Sequence, residues 1–295
     1  MWTRTLREYH LHGSWKNSNL VANIDIYDET SEKYLVHARQ NPGIAKRVRS
    51  AVKKLLAEDS QNPPVEGRRH LDFGCGPGQV LAWLDDYNSL QVGLDVSLVN
   101  LRTARRRTGA FVVCGDATLM PFVDHSFDLV TESSALHHIE DWKAAVREAC
   151  RICAPRGSVL LDAEPTREQM AWGRLARLVF DCRLPIYKAL SYVRKDRYMF
   201  RNLEQAKLNL KAEIHHQPGT GFPLTELIRL FEAAGFAVDI VVSPTPELLS
   251  KASPSWKRVV LDMLSWRNPW NPKYGAFTAL ARSKAGTMTR AMTAK

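Results

Sequence analysis

His70-Leu71-Asp72-Phe73-Gly74-Cys75-Gly76-Pro77-Gly78 reads as a short strand, a carboxylate near its end and three glycines in alternate positions. Val80, Leu81, Trp83 and Leu84 follow at once as an amphipathic run, so the stretch predicts strand, tight turn, helix. Glycine suits such a turn because it adopts positive φ freely and has no Cβ to hold a ligand off the backbone. The loop amides and the helix N-terminus then face a bound molecule. The dinucleotide fingerprint puts its third glycine where Gln79 stands here. Asp72 is a second departure, since a carboxylate beside the loop repels a pyrophosphate and attracts an ammonium group. Asp95 closes the next apolar run, Gln91-Val92-Gly93-Leu94, at a spacing that suits a ribose diol.

Outward from this loop, strands and helices alternate. Strands are expected at Arg69–Phe73, Val92–Asp95, Ala110–Cys114, Phe127–Thr131 and Ser158–Ala163, with helices at Leu98–Arg107 and Trp142–Ile152. That order predicts an α/β fold with a mostly parallel sheet and helices on both faces. Past Glu164-Pro165 the alternation stops: Met170, Trp172, Leu175, Leu178 and Val179, then Ile186, Leu190 and Val193, fall at near-helical spacing. A helix at Thr225–Ala234, a strand at Ala237–Val242, a helix at Trp256–Trp266 and a last strand at Ala276–Ala281 complete the pattern. Ahead of the loop, Ile24–Glu29 leads into a helix near Thr30, a basic helix runs from Ile44 to Glu58, and Pro63-Pro64 breaks the chain. The expected division is an N-terminal helical lid (1–64), a cofactor-binding α/β domain (65–166 and 221–284), an inserted helical cap (167–220) that meets substrate, and a flexible tail (285–295).

The chain of 295 residues is 45% hydrophobic, enough for a sizeable core. No apolar run is long enough to cross a bilayer, and Arg4, Arg7 and Glu8 stand where a signal peptide needs its apolar segment, so a cytoplasmic protein is expected. Five scattered cysteines do not form a disulfide framework. Cys150 and Cys153 make a C-x-x-C inside a helical pattern without a second ligand pair, and no metal site is assigned. The formal net charge of +10 points to an anionic partner: nucleic acid, a phosphorylated substrate or acidic lipid. Much of it lies between Arg167 and Lys211, with eleven basic and four acidic residues, a pattern that also describes a solvated helical face.

Four segments in register resemble the class I S-adenosylmethionine-dependent methyltransferases, and within them the small-molecule branch typified by the ubiquinone and menaquinone methyltransferases. They are Asp72–Gly78, Leu94-Asp95-Val96-Ser97, Gly115-Asp116-Ala117 with Met120-Pro121-Phe122, and Phe127–Val130 with Leu136-His137-His138-Ile139. The resemblance implies a Rossmann-like seven-stranded sheet ending in an antiparallel hairpin, and S-adenosylmethionine as cofactor. It further implies that Gly74, Cys75, Gly76 and Gly78 bring backbone to the methionine part and that Asp72 holds its amino group. Asp95 would accept from the ribose hydroxyls, Val96 would pack on adenine, and Asp116 and Ala117 would read its edge. Glu132 and Ser133 would lie beside the sulfonium, although family members often carry a small residue in place of Glu132.

Methyl transfer from a sulfonium needs orientation and exclusion of water, and a base where the acceptor is a hydroxyl or a protonated amine. His137 is the leading candidate, with a pocket-shaping or capping role as its alternative, and His138 is expected to pack inward. Glu213, His215 and His216 form a second polar cluster that could contact substrate, act as a base or build a loop, and Glu132 is a further candidate. Tyr27 could close over the cofactor. The cap aromatics Trp172, Phe180, Tyr187, Tyr192, Tyr198 and Phe200 could line an acceptor pocket or form the cap's own core. The function these readings favour is methyl transfer to O, N or C of a small-molecule acceptor, a secondary metabolite or quinone-like compound. An RNA-modifying enzyme and a non-catalytic cofactor-binding scaffold subunit are the alternatives; nucleic acid is disfavoured because no RNA-binding module or Asn/Asp-Pro-Pro-aromatic signature is present. Peripheral contact with a membrane is compatible with the basic cap.

Overall fold

Seven strands form one sheet in the order β3-β2-β1-β4-β5-β7-β6. They are β1 (Arg69–Phe73), β2 (Leu90–Asp95), β3 (Phe111–Cys114), β4 (Phe127–Ser133), β5 (Cys153–Pro165), β6 (Phe236–Ser243) and β7 (Ala276–Ser283). β1 to β5 pair in parallel, and β7 runs antiparallel to both β5 and β6. The computed structural model describes residues 19–28, 42–57, 68–87, 90–182, 207–208, 210–243, 256–268, 271 and 274–284. The expectations at Thr30, Pro63-Pro64, Ile186, Tyr187, Leu190, Tyr192, Val193, Tyr198 and Phe200, and for the tail, lie outside these residues.

Helices cover both faces, as the alternating pattern requires. α1 (19–28) and α2 (Pro42–Ala57) precede the sheet; α3 (Gln79–Trp83), α4 (Leu98–Thr108) and α5 (Trp142–Ile152) lie between strands. α6 (Arg167–Met170), α7 (174–182), α8 (Leu224–Ala233) and α9 (Trp256–Leu264) follow. On one face Val130, Val159, Leu161 and Ala279 pack against Ala145, Val146 and Ala149 of α5 and against Leu227 and Phe231 of α8. On the other, their neighbours Leu129, Leu160 and Leu280 pack against Val48, Val52 and Leu55 of α2. Adjacent strand residues thus serve opposite layers, the two-residue period of a sheet buried on both sides.

Buried ion pairing ties the layers together. Arg47 of α2, 5% exposed, grips Asp162 of β5 through two bonds of 2.8 Å. Asp162 also accepts from Thr278 Oγ1 (2.8 Å) and Ser133 Oγ (3.0 Å), so the carboxylate is satisfied and braces the end of β4.

Three expectations change. Ile24–Asp28 does not lead into a helix but belongs to α1. Its apolar Ala22 and Ile26, four residues apart, pack on Ala212, and Asn19 Nδ2 donates to the carbonyls of Lys211 (2.8 Å) and Ala212 (3.1 Å), contacts no local pattern encodes. β5 is much longer than Ser158–Ala163: it begins at Cys153, paired with Phe127, and continues past a bulge between Asp162 and Glu164. Cys150 and Cys153 therefore straddle a helix end and a strand start. Both are buried free thiols, and burial pushes Cys150 up to about 12 and Cys153 higher still, away from thiolate chemistry. No helix among the described residues is long and apolar enough to cross a membrane, and no cluster of His, Cys, Asp and Glu among them could hold a metal ion.

Candidate active site

The chain runs from β1 outward to β2 and β3, then returns to the other side of β1 with β4. Ligand crevices of open α/β sheets form outside the carboxyl ends of the strands where the order reverses. A cavity of about 810 Å³ lies there, bordered by Asp72, Gly74 to Pro77, Asp95, Val96, Asp116, Ala117, Ser133, His138 and, from α1, Asn19, Asn23 and Tyr27. This is towards the upper end of the roughly 300–1,000 Å³ usual for small-molecule pockets.

The glycine loop forms one wall. Gly74 has φ +63°, and a Cβ there would come within 2.4 Å of the Ala135 Cβ, so only glycine lets the loop meet the end of β4 this closely. Gly78 has a different role: it does not border the cavity, and a Cβ on it would press on Ala104 at 3.0 Å, so it sets the approach of α3 to α4. Cys75 borders the cavity with its backbone donating to Leu94 O at 3.0 Å. Asp95 Oδ2 accepts from Gly76 N and Oδ1 from Ser97 N, both at 2.8 Å. The downstream acid and the loop, nineteen positions apart in the chain, are thus in direct contact. A carboxylate has about four acceptor sites; with the Asn100 side chain also bonded to it, about one remains for a ligand. Burial raises its pKa, and the Ser97 and Gly76 amides oppose that rise.

Asp72 is 1% exposed and accepts from Thr131 Oγ1 (2.7 Å), to which His70 Nε2 lies at 2.8 Å. Burial raises Asp72 well above the ordinary carboxylate range and holds His70 down at about 3, so His70 is neutral and donates into the chain His70, Thr131, Asp72. Sequence reading missed His70 and Thr131. The period of two that puts His70 and Asp72 on one face of β1 was the available signal.

Five carboxylates, Asp72, Asp95, Asp116, Glu140 and Asp141, border the cavity, and no Lys or Arg among the described residues does. In a chain of net charge +10 this is a local inversion of sign. Such a lining favours a cation and opposes phosphate.

The wall after β4 differs from expectation in its histidines. His137 and His138 sit on a 3-10 turn, Leu136–His138, where consecutive side chains point about 120° apart. It is His138 that borders the cavity, while His137 turns into the protein, 3.0 and 3.2 Å from the two Glu164 oxygens. Burial lowers His137 to about 3, so it is neutral. Glu132 does not border the cavity either. Fully buried, it accepts from Ala135 N and from Leu136 N (3.0 Å), and Glu164 accepts from the same Leu136 amide at 3.0 Å. Burial, then the nearby Glu164 charge, pushes Glu132 up, and burial pushes Glu164 up, so the pair retains a proton between them.

His138 Nδ1 faces Ala212 O at 3.3 Å, and Nε2 meets the Tyr27 hydroxyl. A carbonyl can only accept, so Nδ1 carries the hydrogen and Tyr27 donates to Nε2. Burial, then neighbouring His137, holds His138 far below its ordinary value and hence neutral. α1 delivers Tyr27: Asn23 Nδ2 donates to His138 O (3.1 Å) at one end, and Ser97 Oγ donates to Asp28 Oδ1 (2.6 Å) at the other. The helix spans the cavity from the turn after β4 to the end of β2. His215 and His216 do not border the cavity. His215 N donates to His137 O (3.1 Å) and its Nε2 to Ile139 O (3.1 Å), and the His216 ring lies 5.3 Å from that of His137; together they brace the turn. Burial raises the Glu213 carboxyl. Trp172 and Phe180 meet edge to face at 5.2 Å, away from the cavity.

A methyltransferase domain model matches residues 71–161. The demethylmenaquinone methyltransferase of Staphylococcus aureus is 31% identical over 180 residues, 58% of this chain and 68% of that protein. That of Corynebacterium kroppenstedtii is 33% identical over 133 residues, 45% of this chain; the match spans about half, 55%, of that protein's length. A chain from the complex between the Haloferax volcanii Trm112 methyltransferase activator and its methyltransferase shares the fold at a TM-score of 0.50 and 17% identity, over 87% of this chain and 96% of that one. The chain belongs to the class I S-adenosylmethionine-dependent methyltransferases. Within them it is similar to the demethylmenaquinone methyltransferases. The donor set fits that cofactor: two buried acidic side chains, a glycine loop that borders the cavity, and a lining without Lys or Arg among the described residues.

Proposed function

We propose that this protein transfers the methyl group of S-adenosylmethionine to a small, quinone-like acceptor. The observation that carries the proposal is the set of acidic side chains around a cavity that no Lys or Arg among the described residues borders, in an otherwise basic protein. The cofactor supplies an electrophilic methyl on a sulfonium whose leaving group is already activated. Asp72, held by Thr131, takes the amino group; Asp95 takes the ribose hydroxyls; Val96, Asp116 and Ala117 meet the adenine; and the Gly74–Gly76 backbone lies along the methionine part. Ser133, at the end of β4, borders the sulfonium end of the space.

The Tyr27–His138 pair supplies the base. An acceptor hydroxyl gives its proton to Tyr27 Oη as the phenol's own proton passes to His138 Nε2, and the imidazolium so formed keeps its Nδ1–H on Ala212 O. Burial, then neighbouring His137, opposes that charge, so the imidazolium is short-lived. Glu132, His137, His215 and His216 position the turn that carries His138. The names of the relatives support a quinone-like acceptor. A nucleic acid would bring phosphates against a cavity lined by acidic side chains, which speaks against the RNA reading. Calorimetry with S-adenosylhomocysteine should show saturable binding, and incubation with S-adenosylmethionine and a reduced demethylated quinone should release S-adenosylhomocysteine. Absence of binding would sink the proposal; binding without turnover on the quinol would sink the acceptor class alone.

A further inference from the structure

The residue after Ser133 is held in a backbone conformation that its side chain disfavours. Ser134 has φ +58°, and of the five non-glycine residues with positive φ among the described residues it alone borders the cavity. Left-handed backbone costs a non-glycine residue free energy, and such strain persists only where the surroundings enforce it. Here they do: Ser134 N donates to Asp162 O (2.9 Å), and the next amide, Ala135 N, donates to the buried Glu132. The two adjacent serines differ in what they hold. Ser133 Oγ donates to Asp162 Oδ2, whereas Ser134 is exposed and its hydroxyl bonds to no described residue. Ala135 adjoins Gly74 of the loop and His138 lies four residues further on, so Ser134 stands between the loop and the base.

α1 brings a second unpaired group to this end of the cavity. Asn23, 4% exposed, also borders the cavity, and its Nδ2 donates to Asn19 O (2.9 Å) and to His138 O (3.1 Å). Both amide hydrogens are thus used, which fixes the orientation of the side chain and leaves Oδ1 buried with no donor among the described residues. A buried acceptor without a donor destabilises the unliganded fold, and a ligand that donates to it offsets this.

We infer that Ser134 and Asn23 are specificity-determining residues that together read a second hydroxyl of the methyl acceptor, beyond the one that Tyr27 deprotonates. Ser134 Oγ donates to the oxygen of that group, and its hydrogen goes to Asn23 Oδ1. A hydroxyl needs one donor and one acceptor, whereas a carbonyl or an ether can meet only the serine. The pair therefore selects a ring with two hydroxyls over a ring with one, and fixes which ring atom faces the sulfonium. This inference rests on the methyltransferase reading of the cavity.

The test is calorimetry on the full chain loaded with S-adenosylhomocysteine, titrated with α-naphthohydroquinone kept reduced and with α-naphthol, which lacks the second hydroxyl. Two neutral hydrogen bonds at about 5-fold each predict that the wild type binds the former about 25-fold more tightly. Ser134→Gly removes the hydroxyl and relieves the left-handed strain, so it should fold at least as stably. It should lower the preference about 5-fold and leave the affinities for α-naphthol and S-adenosylhomocysteine within about 2-fold. Asn23→Ala should lower the preference by a similar factor. Equal binding of the two ligands by the wild type overturns the inference. So does a preference that Ser134→Gly leaves unchanged, or a loss shared equally by both ligands, because the residue would then be structural alone. Failure here leaves S-adenosylhomocysteine binding intact, whereas failure of the methyltransferase reading removes it.

Discussion

The cavity has two walls built on opposite plans. The wall from β1 to β3 is local: the loop Gly74–Gly78, Asp95 and Asp116 each follow directly from a strand end, and the bond from Gly76 N to Asp95 joins consecutive strands. The wall beyond β4 is assembled from distant pieces, with Tyr27 from α1, His138 from the turn after β4 and Ala212 from beyond α7, held by bonds spanning 111 and 74 residues. Backbone geometry sets the first wall, whereas side-chain contacts among separate elements set the second. Damage should therefore separate into loss of binding and loss of positioning.

The largest effect is expected where the second wall is anchored. Arg47→Met leaves Asp162 buried without its counter-charge and should cost about 3–5 kcal/mol in denaturant melts. Because Asp162 also holds Ser133, the variant should lose turnover under conditions where it is still folded. A loss under 1 kcal/mol would show that the anchor is not needed. Next comes a place where the walls touch. Gly74→Ala sets a Cβ 2.4 Å from that of Ala135 at φ +63° and should abolish detectable cofactor binding. Adding Ala135→Gly should restore it in part, because the clash goes while the left-handed strain of about 1–2 kcal/mol stays. Equal affinities in the single and double variants would show that the contact does not matter.

The contrast sharpens with one residue from each wall. His138→Gln and Tyr27→Phe should lower turnover about 100-fold with S-adenosylhomocysteine affinity within about 3-fold. Asp95→Ala should instead weaken that affinity about 10- to 100-fold, the worth of charge-assisted hydrogen bonds. Reversal of these two patterns would exchange the roles given to the walls.

Near neutral pH the smallest effects are titrations, which grow only as the solution is acidified or made basic. His70, neutral in the fold with a pKa near 3 against an ordinary 6.5, binds a proton only on unfolding. Stability due to it is complete above 6.5 and is lost as the pH falls towards 3, at about 1.4 kcal/mol per pH unit for one group. The His70→Gln variant should lose that part of the slope. Asp72, Glu132 and Glu164 shift the other way, keeping protons in the fold that the unfolded chain releases, so stability falls as pH rises through the range above their ordinary values. Asp72 must ionise to receive an ammonium group, so binding S-adenosylhomocysteine should expel up to about one proton at a pH between its ordinary and its raised value, and Asp72→Asn should abolish this release in calorimetry across buffers.

What the sequence by itself determined is the sheet, the loop and the cofactor class. Strand ends, glycines and the acid nineteen residues after Gly76 are encoded within a few residues of where they act, because period-two burial and positive φ leave local marks in the chain. The pairing of Tyr27 with His138, the retreat of His137 and Glu132 into a buried proton-sharing group, and the bracing role of His215 and His216 were decided only by tertiary structure. A 3-10 turn of three residues can point either histidine at the ligand, and that choice rests on carboxylates and carbonyls that lie far away in the sequence.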